Sequence, residues 1–232
     1  MDDRFLFYVP PKYIHKDDLF FPDEEAHHLL NVLRKRSGDI VQVTDGLGCR
    51  MDVRIEISED KVVKGCISAS YYSKAGPDRI LAMGVIRNRD RLEFAIEKAT
   101  ELGVTRIVLV HSEFAGKMEL KARRIDKTIT SALKQSRQLW LPAWEECASF
   151  TEAIKRYRDH RNILVAHPSG ERVQMQELQG SSLMLIVGPE GGFSENEMEE
   201  ARANNATFVR LGDSRLRTET AVCALLALTG KR

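Results

Sequence analysis

Five apolar residues in a row, Leu183-Met-Leu-Ile-Val187, run directly into Gly188-Pro-Glu-Gly-Gly192, then Phe193 and Ser194-Glu-Asn-Glu197. An uninterrupted apolar run of this length suits a strand covered on both faces, as in a parallel sheet. The glycines let the backbone turn sharply and approach a neighbour closely, and Pro189 stiffens the turn. Ser194 followed three residues later by Glu197 is a capping-box pattern and predicts a helix from about Glu195. Strand, glycine-rich loop, helix is how α/β proteins present backbone N–H groups at the carboxyl edge of a sheet. The same pattern also serves as a tight turn with no ligand.

The rest of the chain fits this reading from Arg79 onward. Ile80–Ile86, Arg106–His111, Asn162–Ala166 and Thr207–Leu211 read as strands. Between them, Arg91–Leu102, most of residues 117–140, Thr151–Tyr157, the segment to about Asn204 and Thr218–Thr229 read as helices. Strands alternating with helices predict a mostly parallel α/β sheet. Residues before this point read differently. Phe5–Val9, Ile40–Thr44, Met51–Ile57 and Lys61–Ser70 are short strands separated by turn signals such as Gly38-Asp39 and Asp45-Gly46. They predict a small barrel. One short helix, Asp23–Leu33, is expected there with Asp23 as its cap. Two domains follow, at residues 1–72 and 73–232, with a linker over Tyr71–Asp78.

Composition excludes several classes. No apolar run approaches the roughly 20 residues of a membrane span, and the N-terminus lacks a signal-peptide pattern. The four cysteines, at 49, 66, 147 and 223, show no metal-ligand spacing, and the adjacent His27-His28 lack a third ligand. A reduced, cytoplasmic, metal-free protein with no membrane association is expected. The net charge of +1 makes no global case for nucleic acid, so any such case rests on local patches.

Three further stretches carry candidate chemistry. Leu211-Gly-Asp-Ser-Arg-Leu-Arg-Thr-Glu-Thr-Ala221 joins a strand end to a helix start, with Arg215 and Arg217 just outside an otherwise apolar helix. Polar residues there also satisfy the free N–H groups of a buried helix. Neither this loop nor Gly188–Gly192 has the Gly-Lys-Ser/Thr of a phosphate loop. On the helix carrying Glu97-Lys98-Ala-Thr-Glu101, those charges are neighbours and equally form a solvated face. Between Lys117 and Arg137 lie seven Lys or Arg against Glu119 and Asp126, a local net of +5, and Gln135-Ser-Arg137 leads into Leu139-Trp-Leu-Pro142. Arg34-Lys35-Arg36 is a second basic cluster. Such clusters suit phosphate contacts, and equally a charged surface.

Taken together, Glu97–Val104, Gln135-Ser-Arg137, Gly188–Gly192, Leu216-Arg-Thr-Glu-Thr-Ala221 and His28 with Val32-Leu-Arg34 occur in one order over nearly the whole chain. The sequence thereby resembles the bacterial small-subunit (16S) ribosomal RNA uridine-N3 methyltransferase family, within the trefoil-knotted SPOUT class. The resemblance implies an N-terminal PUA-like β-barrel that binds RNA and a C-terminal α/β domain whose last segment threads a deep trefoil knot. It implies S-adenosyl-L-methionine as cofactor, 16S rRNA in the assembled small subunit as partner, and a homodimer. Three loops carry over to the cofactor: Ala166-His167-Pro168; Gly188, Pro189, Glu190, Gly191 and Gly192; and Leu211-Gly212 with Leu216, Thr218, Thr220 and Ala221. The chain departs from the family pattern at Asp213-Ser214-Arg215. Arg217 is expected to stabilise charge on the uridine, with Glu219 as an orienting group or base. Arg4, Arg34, Lys35, Arg36, Lys98, Glu101, Gln135 and Arg137 are expected on the RNA side. Ribose 2′-O methylation and a non-catalytic RNA-binding assembly factor are the alternative readings.

Overall fold

The computed structural model describes residues 5–60, 62–116, 118–160, 162–172 and 180–230. Arg4 and Lys117 lie outside them. The chain divides into two compact units, one of residues 1–75 with 133–141, the other of residues 76–132 with 142–232.

In the first unit, period-two alternation sets the strands. They are β1 (Leu6–Tyr8), β2 (Ile14–His15), β3 (Asp18–Phe20), and, after helix α1 (Asp23–His27), β4 (Ile40–Thr44), β5 (Cys49–Ile57) and β6 (Val63–Tyr72). On β5, Met51, Val53 and Ile55 are buried while Arg54 and Glu56 face solvent. The six strands form one sheet in the order β1-β4-β5-β6-β3-β2. Only β1 and β4 pair in parallel. Phe7, Leu19, Leu29, Val43 and Ile55 fill its core. Two local expectations are corrected. Pro22, not Asp23, holds the capping position of α1, with no side-chain cap. The helix then widens, because the Leu33 N–H donates five residues back to the His28 carbonyl (3.0 Å). The short β2 and β3 had no periodic signal long enough to read.

Residues 133–141 run along this sheet as a strap. The Gly48 N–H donates to the Leu139 carbonyl and the Leu141 N–H to the Gly46 carbonyl, both at 2.8 Å. Leu47 and Trp140 thereby form an antiparallel bridge.

The second unit holds β7 (Arg79–Gly84), α2 (Arg89–Glu101), β8 (Arg106–Val110), α3 (Ala122–Ser136, whose last turn belongs to the first unit), β9 (Ala143–Cys147), α4 (Phe150–Tyr157), β10 (Asn162–Glu171), β11 (Leu183–Val187), α5 (Glu195–Ala203), β12 (Thr207–Val209) and α6 (Thr218–Thr229). Every strand pairs in parallel, in the order β12-β10-β11-β7-β8-β9. The predicted apolar runs are its buried strands, and all five residues of β11 are buried. Side-chain caps set the starts of α2, α4 and α5. Asn88 Oδ1 accepts from the Arg91 N–H. Both halves of the Ser194–Glu197 capping box form at α5. After edge strand β12 the chain returns past β10, and α6 packs against α2 and β11.

Strand β9 was missed. It is an edge strand whose Glu145 and Glu146 break the apolar pattern. The expected loop Ala166-His167-Pro168 is corrected as well, since β10 continues to Glu171. Ala166 and Glu171 both stand opposite Val209 of β12, so residues 167–170 form an excursion from the pairing rather than a loop after the strand. Among the described residues no helix is long and apolar enough to cross a membrane.

Candidate active site at the carboxyl edge of the parallel sheet

A fully parallel sheet puts every strand's carboxyl end on one edge. The segments that follow β7, β8, β11 and β12, and the excursion in β10, therefore emerge together. The Thr218 hydroxyl, at the first turn of α6, donates to the Gly188 carbonyl at the end of β11 (3.0 Å), and this bond is buried. A buried neutral hydrogen bond of this kind contributes about 1 kcal/mol, and its loss orphans a carbonyl. The Arg215 guanidinium reaches the Glu190 carbonyl more loosely (3.4 Å). Two of the three predicted segments are thus tied directly to each other.

The third is tied through aromatic rings. Phe193 packs over Gly188, where a Cβ would lie 3.0 Å from its ring. The same ring has the His167 ring at 6.3 Å from its centroid, and Phe208 stands edge-on to His167 at 6.1 Å. Burial pushes the His167 pKa down, and the positive charge of Arg202 adds to the shift. The imidazole Nδ1 hydrogen-bonds Ser169 Oγ (2.7 Å). Pro189 closes the base of the site. It lies so near the end of β7 that a Cβ on Gly84 would sit 2.5 Å from its ring.

Above these contacts the backbone is open. Gly192, at φ +79°, and Gly212 have no heavy atom within 4 Å of where a Cβ would stand. Leu211 and Leu216, on either side of Gly212 in the sequence, are half-buried. Glycine backbone beside open volume, with aliphatic side chains near it in sequence, fits an adenosine-type ligand. Amide groups meet the base edge and apolar side chains meet its faces. The residues present therefore fit S-adenosyl-L-methionine. Thr220 is exposed and Ala221 buried on the first turn of α6.

Arg217 occupies the capping position of α6 and is exposed. Glu219, two residues on, is buried, 8% exposed. Its Oε1 lies 3.6 Å from Nε of Arg91 on α2. Its Oε2 is buried with no hydrogen-bond partner. Arg91 escaped the sequence reading. Its signal was a cation in the first turn of a helix, where the dipole favours acids.

The RNA-side candidates divide. Lys98 sits between Glu97 and Glu101, 2.7 and 2.9 Å away, and these hydrogen bonds raise its pKa. Arg137 donates to the buried Gln42 (2.8 Å) and Lys134 pairs with the buried Glu25, both within the first unit. Arg124 is held by Glu93. Lys121, Arg123, Lys127 and Gln135 are exposed, as are Arg34 and Arg36, while Lys35 is half-buried. His28 packs against Phe5 and Phe7.

Comparison with known proteins gives a consistent result. Residues 75–230 match a family described as RNA methyltransferase domain, and residues 21–63 match an RNA methyltransferase PUA domain. Ribosomal RNA small subunit methyltransferase E of Bacillus subtilis is 28% identical over 215 residues, covering 85% of this chain and 84% of that protein. A crystal structure of a probable rRNA-methyltransferase from Porphyromonas gingivalis superposes with a TM-score of 0.85 at 32% identity, over 96% of this chain and 95% of the other. Ribosomal RNA small subunit methyltransferase E from Neisseria gonorrhoeae, bound to S-adenosyl methionine, superposes with a TM-score of 0.82 at 27% identity, over 96% and 94%.

Proposed function

The chain belongs to the RNA methyltransferase family, and we propose that it methylates N3 of a uridine in the 16S RNA of the small ribosomal subunit, using S-adenosyl-L-methionine. The observation that carries the reading is the tie from Thr218 to Gly188 beneath the open backbone at Gly192 and Gly212. It joins the two segments that the cofactor would need on either side of its adenosine.

When bound, the cofactor supplies an electrophilic methyl group. The glycine segments hold its base and ribose, and the His167–Pro168 excursion bounds the remaining side. Methyl transfer is an in-line displacement, so holding the two reactants in register supplies most of the acceleration. Uridine N3–H is a weak acid and must lose its proton. In this reading the exposed guanidinium of Arg217 stabilises the charge left on the uracil carbonyl oxygens. Glu219 serves as orienting group or base. The barrel unit, with Arg34, Lys35 and Arg36, binds RNA, and the exposed cations of α3 add phosphate contacts. The modest net charge favours a target presented by an assembled subunit over indiscriminate binding. We further propose a homodimer in the cytoplasm. The exposed Phe94 of α2 and Leu228 of α6 are apolar surface for its interface.

The test is mass spectrometry of 16S rRNA nucleosides from cells lacking the protein, with purified enzyme added back to their small subunits. N3-methyluridine is expected to vanish and return. Arg217→Ala is expected to slow its return by roughly 10²-fold, the usual cost of one charge-stabilising donor. Unchanged N3-methyluridine in the deletion would sink the reading, and a lost 2′-O-methylnucleoside would replace it.

A further inference from the structure

The pair formed by Arg91 and Glu219 is not explained by fold stability. A cation in the first turn of α2 opposes the helix dipole. A carboxylate buried in the first turn of α6 is favoured by its own helix, yet burial of an unpartnered oxygen is costly. At 3.6 Å the contact with Arg91 is an ion pair without a hydrogen bond. Among the described residues Glu219 Oε2 has no hydrogen-bond partner. Each group is thus only partly satisfied by the other.

The surroundings leave Arg91 free on its other side. Of the two carboxylates nearest it in sequence, Glu93 is held by Arg124. Asp90 lies within electrostatic reach of the same arginine. The Arg91 side chain is 37% exposed. Among the described residues its two terminal nitrogens meet no hydrogen-bond acceptor. Arg87 and Arg89 stand exposed on the same stretch, with the Arg87 stem packed over Gly116. The segment Arg87-Asn-Arg-Asp-Arg91 follows β7, at the same edge of the sheet as Arg217.

We infer that Arg91, steered by the buried carboxylate of Glu219, is a receptor for an RNA phosphodiester beside the methyl-transfer site. The inference rests on the RNA methyltransferase reading and assigns Glu219 the positioning role. A guanidinium whose Nε faces a carboxylate leaves its two terminal N–H groups as a fork, the geometry that matches two phosphate oxygens. The Glu219 charge fixes that fork, and so acts on RNA only through Arg91.

The experiment uses the full-length protein and small ribosomal subunits from cells lacking it. Arg91→Ala, Arg91→Lys and Glu219→Gln are compared with wild type for cofactor binding by calorimetry, for KM and kcat on subunits, and for the salt dependence of subunit binding. Arg91→Ala is expected to raise KM about tenfold or more and to reduce the salt slope by about one, the loss of one phosphate contact. Cofactor affinity should be unchanged. Arg91→Lys should recover part of the affinity, because lysine keeps the charge and loses the fork. Glu219→Gln should move KM in the same direction as Arg91→Ala and leave the acid limb of the kcat pH profile in place. Wild-type KM and salt slope in Arg91→Ala would overturn the inference. So would a loss of cofactor binding with subunit affinity intact, or disappearance of the acid limb in Glu219→Gln. A wild-type protein that binds no S-adenosyl-L-methionine and methylates no subunit would instead bring down the parent reading and this one with it.

Discussion

Arg79 opens β7, at the end of the sheet remote from the active site, and its side chain joins two helix ends. One terminal nitrogen donates to the Leu102 carbonyl at the C-cap of α2 (2.6 Å). The other donates to the Leu226 carbonyl (2.7 Å) and the Thr229 hydroxyl (3.0 Å) in the last turn of α6. Carbonyls at a helix C-terminus have no intrahelical partner and carry the negative end of the dipole. Each charge-assisted bond contributes about 1.5–3 kcal/mol net, so the two carbonyl bonds contribute roughly 3–6. Against this stands desolvation of the guanidinium. Burial lowers its pKa, and Nε is buried with no partner. Offsetting by about 1–2 kcal/mol leaves an expected loss of roughly 1–5 kcal/mol for Arg79→Ala. In a chain of this size that lowers Tm by roughly 2–20 °C. Two units need not unfold together. The assay is therefore urea denaturation read by hydrogen exchange, with α6 peptides reporting on the second unit and β5 peptides on the first. Protection should fall in α6 and hold in β5. A loss below about 1 kcal/mol in α6 would refute the reasoning, since the bonds would then offset no more than the cost of burying the charge.

Two further outcomes follow from local geometry. Gly48 sits at φ +95°, where a Cβ would lie 2.3 Å from the Trp140 ring. Gly48→Ala should therefore loosen the 133–141 strap by more than about 1 kcal/mol and speed exchange of the Gly48 and Leu141 amides, and unchanged exchange would refute it. His167 has a folded pKa below that of the unfolded chain, because burial disfavours the imidazolium. Its contribution to stability is complete above the unfolded value near 6.5 and is lost as pH falls through the folded value. His167→Gln should flatten the decline of Tm on acidification below about pH 6.5 relative to wild type, and an identical decline would exclude the histidine as its source.

The buried strands were legible because burial on both faces leaves no room for polar residues, so Leu183–Val187 and Ile107–Val110 could be read as uninterrupted runs. The α5 start was legible because the capping box is local: Ser194 and Glu197 satisfy each other's backbone within one turn. The bounds of α6, Thr218–Thr229, followed from polar residues meeting an apolar run. What failed depends on partners distant in sequence. The excursion at residues 167–170 exists because Ala166 and Glu171 share Val209 on a strand some forty residues later. The ion pair of Arg91 with Glu219 spans two helices that sequence spacing does not relate.

The Gln135–Pro142 stretch shows the difference most clearly. Its cations and amide look like nucleic-acid chemistry, since Arg and Gln are the side chains that read phosphates and bases. Yet the Arg137 guanidinium donates to Gln42, which is 4% exposed on β4. Lys134 meets Glu25, 6% exposed on α1. A buried carboxylate or amide must find a partner or destabilise the unit that buries it. Residues 1–75 supply those buried groups, and the strap, drawn from about sixty residues beyond them, supplies the donors. The chemistry that identifies an arginine as an RNA ligand is the same chemistry that satisfies a buried polar group. What separates the two uses is whether an acceptor inside the protein occupies the donors, and Gln42 and Glu25 lie in segments that a one-dimensional reading does not connect to Arg137 and Lys134. Arg91 also faces a buried carboxylate, Glu219 at 8% exposed, but it belongs to the other class because its terminal nitrogens meet no acceptor among the described residues. Glu219 lies in ion-pair range of Nε alone and leaves the fork open.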